Sequence, residues 1–167
     1  MSNVGELNGI NVARLLELKD TCRQDPSRAD CNPALVAHWV GSTRSRVEFR
    51  SKVVHIGGSE DLNSMQMLLA ALAACAADVV ATHASILGLK IERLSVEAKG
   101  HFDMRSYLGL EASGSGYDAI SFAVRLSAPG ASPEQIAQLR ECCERSSPVA
   151  DSLARRVPLK LEFDSNT

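Results

Sequence analysis

The residue best placed to do chemistry is Cys75, which lies in a run where every side chain from Met67 to Ala77 is apolar. A thiol among alanines most often packs as a small hydrophobe. Desolvation raises its pKa and holds it inert. Asp78, one helical turn further on, pushes the same way when ionised. A working nucleophile at Cys75 therefore needs a cation brought from elsewhere in the fold. Of the other cysteines, Cys22 and Cys31 lie in the polar stretch T-C-R-Q-D-P-S-R-A-D-C-N, whose spacing fits no zinc pattern. Cys142 and Cys143 are adjacent. Cys143 stays in register with Ile136 and Leu139 on an apolar helix face, which makes packing its first reading. His38, His55, His83 and His101 show no H-x-H or H-E-x-x-H spacing, so neither a metal nor another cofactor is expected. His83 is two turns from Cys75, too far to act as its base directly.

The positioning element is the stretch Asn63–Gly88. Asn63 followed by Gln66 has the spacing of a capping box, and Gly88 suits the left-handed residue that ends a helix. An all-round apolar helix is a buried one. The run breaks at Asp78, short of the ~20 residues a membrane span needs, so a core helix and no membrane partner are expected.

Around it, Ile10–Lys19 reads as a short amphipathic helix. Ala34–Val40, Ser45–Arg50 and Lys52–Ile56 read as strands, followed by a Gly57-Gly58 loop that lacks the Gly-Lys-Ser/Thr of a phosphate loop. Lys90–Lys99 alternates, and so does the cleaner strand with Ile120, Phe122, Val124 and Leu126 on one face. Ser132-Pro133-Glu134-Gln135 starts a helix running to about Arg145. Pro148 breaks it before a further turn or two over Val149–Arg156. Val157, Leu159, Leu161 and Phe163 alternate as a last strand, with Pro158 favouring an edge. Segregated helices and antiparallel strands define an α+β fold.

At 167 residues, with 45% apolar and 23% charged residues, the chain fits one globular domain with a terminal segment. A net charge of -2 and no basic stripe argue against a nucleic-acid partner. Five cysteines without framework spacing read as reduced thiols, and 1–9 is no secretory leader. A cytoplasmic address is the expectation. A helix apolar on all sides needs more cover than about seven strands supply, and a symmetric dimer would provide it.

The mid-helix cysteine of M-L-L-A-A-L-A-A-C-A-A, the Gly-Gly loop before it and S-S-P-V-A-D-S-L before a final strand together resemble the OsmC/Ohr family. This is the family of osmotically inducible protein C and the organic hydroperoxide resistance proteins. The resemblance covers roughly Ala34 to Phe163. It divides the chain into an N-terminal helical extension and linker (1–32) and an OsmC-like domain (33–167). It implies an intertwined homodimer, with sheets wrapped around paired central helices and sites at the interface. Cys75 falls on the thiol that attacks an organic hydroperoxide, and Arg44 or Arg46 falls near the arginine that supports its thiolate. Ser147, before Pro148, stands where the resolving cysteine belongs, and Met65 where a glutamate anchors that arginine in the Ohr branch. Cys143, four residues before Ser147, replaces the missing thiol only if its helix shifts. The implied activity is reduction of organic hydroperoxides through one obligatory cysteine, recycled by an external thiol. The alternative is a non-catalytic dimeric member that binds a small apolar ligand or serves a structural role.

Overall fold

The computed structural model describes residues 5–112 and 114–165. Its centre is the long helix α2 (Ser64–Ile86), preceded by the hairpin strands β1 (Glu6–Leu7) and β2 (Ile10–Asn11), the helix α1 (Val12–Gln24), a short 3-10 turn, and strands β3 (Val36–Trp39), β4 (Ser45–Phe49) and β5 (Lys52–Ile56). Strands β6 (Arg93–Phe102) and β7 (Tyr117–Ser127) and helices α3 (Pro133–Ser146) and α4 (Pro148–Ala154) follow. The strands form three separate antiparallel sheets, β1-β2, β3-β4-β5 and β6-β7.

Both ends of α2 form as their residues dictate. Asn63 accepts from the Gln66 amide, and the Gln66 side chain accepts from the Asn63 amide, closing the capping box. At the other end Gly88 takes φ +72, its amide bonds Ser85 O, and the Leu89 amide bonds Ala84 O. These two bonds are the Schellman closure, which needs a left-handed residue where glycine stands.

Leu72, Ala76, Val79, Val80 and Ala84 are buried, at the spacing of one helical face. They meet β6, β7, α3 and α4. On β6, Leu94, Val96 and Ala98 are half-buried between exposed Arg93, Ser95, Glu97 and Lys99, the alternation expected of a sheet wet on one side. Tyr117 fixes this sheet to the start of α2. Its hydroxyl donates to Met65 O at 2.8 Å, and its ring packs edge-on to Phe102, with centroids 5.4 Å apart. Gly100 makes room for it, since a Cβ there would come within 2.5 Å of the ring.

Two expectations need correction. Within one chain α2 is covered on one side only: Leu68, Ala71, Ala74 and Asp78 are exposed along its other side. By length and composition the 23-residue helix would also pass for a membrane span, yet its buried face packs on sheet and helices. The last strand does not form. Residues 157–165 lie outside any strand, with Leu159, Leu161 and Phe163 at 96%, 84% and 84% exposure. An alternating strand needs a neighbouring edge to pair with, and among the described residues this segment pairs with none.

The hairpin β1-β2 was not anticipated, although Asn8-Gly9 is a tight-turn dipeptide. Both residues take positive φ. Asn8 then grips the far end of α2. Its side-chain amide donates to Leu89 O at 2.9 Å and to Ser85 Oγ at 3.0 Å, and its oxygen accepts the Ile91 amide at 2.8 Å. The buried Ser85 hydroxyl lies 3.0 Å from Leu7 O and 2.7 Å from Ala81 O. Because Asn8→Ala removes the side-chain partner of Leu89 O and of the Ile91 amide, it is expected to lower unfolding free energy by about 1–3 kcal/mol. Denaturant titration measures this, and a change within error would contradict the clamp.

Candidate functional site

Cys75 lies at the flank of α2, between the buried face and the exposed stripe, and is half-buried. Helix α3 runs antiparallel beside it, and side-chain contacts set the register. Gln135 Nε2 reaches Leu87 O at 3.4 Å, Leu139 shares a core cluster with Ala84, and Cys143 lines a cleft with Val80. The next turn brings Ser147 opposite Cys75, with Oγ and Sγ 3.4 Å apart.

Ser147 is held in this place by two roles. It ends α3 and caps α4, where its Oγ accepts the Ala150 amide at 3.3 Å ahead of Pro148 in the first turn. It is only 3% exposed. The side chain set against the sulfur is therefore a hydroxyl.

Cys143 is one turn short. The register puts it beside Val80, five residues from Cys75, or about 7.5 Å of helical rise at ~1.5 Å per residue. A disulfide to Cys75 would need α3 to slide by more than a turn. Burial raises the Cys143 pKa above that of an ordinary thiol, and the neighbouring Cys142 and Glu144 push the same way. All five cysteines are free thiols.

The two arginines are engaged elsewhere in this chain. Arg44 Nε and Nη2 both reach Asp61 Oδ2 at 2.8 Å, and Arg46 pairs with Glu48. Among the described residues, no hydrogen bond or ion pair joins either guanidinium to Cys75. Asp61 is the residue that sequence reasoning missed. It lies four residues before Met65, in the loop ahead of the cap, and receives Arg44 where a helix-start glutamate is lacking. The signal was the acidic pair Glu60-Asp61 closing the glycine loop. That loop folds tightly onto the β3-β4 turn: a Cβ on Gly57 would stand 2.0 Å from Thr43 O, and Gly58 lies over the Arg44 side chain. Among the described residues no group of three or more His, Cys, Asp or Glu is placed to hold a metal ion.

The fold has counterparts. The model of OsmC-like proteins matches residues 57–162, so the chain belongs to the OsmC-like family. Among solved structures, the OsmC-like protein of Mycoplasma pneumoniae superposes with a TM-score of 0.64 at 15% identity, over 75% of this chain and 89% of that one. An OsmC-like protein of unknown function from Vibrio cholerae gives 0.59 at 13%, over 74% and 94%. An organic hydroperoxide resistance protein OsmC from Legionella pneumophila, described as a predicted redox protein, gives 0.51 at 15%, over 74% and 89%. A comparison with curated proteins finds no match. At these identities the structures speak for the fold.

Two outcomes follow from the register. In Ser147→Cys, mild oxidation should link Cys75 to the new sulfur at position 147, seen by peptide mapping without reductant; a folded variant lacking that link would refute the placement. Cys143, its neutral form favoured, should be alkylated at half-maximal rate only above the pH that suffices for an unperturbed thiol of about 8.5. Peptide-resolved iodoacetamide labelling checks this.

Proposed function

We propose that the chain is a homodimeric, thiol-dependent reductant of organic hydroperoxides that works through Cys75 alone. The Cys75 thiolate attacks the distal peroxide oxygen, the O–O bond breaks, and the alkoxide leaves and takes up a proton as the alcohol. Cys75 is left as a sulfenic acid. With oxygen at Ser147, no second sulfur in the chain is in place to displace water from it. An external thiol does so, giving a mixed disulfide, and a second thiol releases the external disulfide and restores Cys75. The net exchange is one hydroperoxide and two thiols for one alcohol, one water and one disulfide. The observation that supports this reading is the 3.4 Å approach of Ser147 to Cys75, the two positions that the resemblance assigns to paired thiols. A cytoplasmic setting, rich in reduced thiols, belongs to the same proposal.

Dimerisation is supported by what one chain leaves uncovered. Leu68 and its neighbouring alanines form a small-residue stripe on α2, and Trp39, Leu159, Leu161 and Phe163 are largely exposed. Pairing two copies along α2 covers the stripe, brings a second set of arginines toward each Cys75, and gives the apolar tail a strand edge.

A second reading, a non-catalytic scaffold that keeps the apolar pocket for a ligand, is favoured by the engagement of Arg44 with Asp61 and of Arg46 with Glu48. The assay that separates them is consumption of tert-butyl or cumene hydroperoxide with a dithiol reductant. Wild type is expected to turn over and Cys75→Ala to fall to background; equal background rates in both would leave the scaffold. Light scattering should give twice the chain mass for wild type, and Ala71→Glu, which puts a charge in the stripe, should shift it toward one.

A further inference from the structure

We propose that Ser147 donates its hydroxyl proton to the Cys75 sulfur and so sets the acidity of that thiol. This rests on the reading of Cys75 as the reacting group, and it gives the oxygen at position 147 a task of its own. A serine hydroxyl has one proton and two lone pairs. One lone pair takes the Ala150 amide at 3.3 Å, and the sulfur lies 3.4 Å away on another side. Once ionised, the sulfur can only accept, so the proton shared by the two atoms comes from Ser147. A bond that strengthens on ionisation favours the thiolate. Ser147 is 3% exposed, so its hydroxyl is held among protein atoms and its proton has few partners besides the sulfur.

Among the described residues no other donor is bonded to the sulfur. The titratable groups on α2 one turn away and on the elements packed against it include Asp78 on α2, Arg93, Glu97, Lys99 and His101 on the exposed face of β6, Cys142, Cys143, Glu144 and Arg145 on α3, Asp151 on α4, and Tyr117 and Asp118 on β7. Arg145 pairs with Glu141, Asp151 with Arg155, Asp118 with His101, and the Tyr117 hydroxyl bonds Met65 O. Asp78 and Glu144 are carboxylates and offer the sulfur no donor, whereas the Ser147 hydroxyl is bonded to it.

The test follows alkylation of Cys75 by iodoacetamide against pH, resolved by peptide mass spectrometry, in wild type, Ser147→Ala, Ser147→Thr and Ser147→Val. Circular dichroism reports the fold of each. The midpoint should rise by about one pH unit or more in the alanine variant, the size expected when a hydrogen bond to a charged group is lost. Threonine and valine share a shape and differ in the hydroxyl, so this pair decides the matter even if alanine fails to fold. Threonine should hold the midpoint near wild type, and valine should raise it as alanine does. Equal midpoints for threonine and valine, or for alanine and wild type, would overturn the proposal. No peroxide enters this experiment, so an absence of hydroperoxide turnover leaves the result standing, and a flat pH response leaves the turnover assay unaffected.

Discussion

The structure turns on a shortage of cover. Helix α2 has apolar side chains around nearly its whole circumference, and a single chain can bury only part of them. Leu72, Ala76, Val79, Val80 and Ala84 are covered by β6, β7, α3 and α4. At roughly 25 cal/mol per Å² of apolar surface, that face is the main stabilising contact of the domain. Everything else is arranged around the side it leaves open. The alanines there allow close approach, and Cys75 lies on the line where the two sides meet.

That boundary position accounts for the chemistry available to the thiol. Deeper in the buried face, a sulfur would be sealed among Leu72 and Val79. Further onto the stripe, it would lose the α3-α4 junction as a neighbour. At the flank it meets Ser147, whose own place is overdetermined by ending one helix and starting the next. The break at Pro148 is thus part of the site, because a continuous helix would carry the backbone past Cys75 without presenting a capping side chain to it.

Much of this was legible in the residues. The capping box at Asn63 and Gln66, the glycine closure at Gly88 and the Ser132-Pro133 helix start are local devices whose partners lie within a few positions, and each forms as its sequence predicts. The alternation on β6 and β7 was equally plain, since one face is wet. Cys75 and Ser147, 72 positions apart, were brought together by family resemblance rather than by pattern. Periodicity says which way a side chain points along its own element and nothing about which element lies opposite. For the same reason Asp61 and Asn8 went unseen: each makes its decisive bonds far along the chain, Asn8 more than seventy residues away. The last strand failed for a related cause. Alternation in Val157–Phe163 records a demand for an edge, and says nothing of which edge would meet it.

The β3-β4-β5 sheet is joined to the rest in an unusual way. Its strands are largely exposed, and what holds it against the start of α2 is the Arg44–Asp61 contact and the close seat of Gly57 under Thr43. A packed core resists bending in every direction, whereas a half-exposed ion pair contributes little rigidity and weakens with salt. The sheet is accordingly a panel on an elbow. Its link to the helix runs through polar contacts and one close backbone seat instead of a shared core, and Arg44 is part of that link.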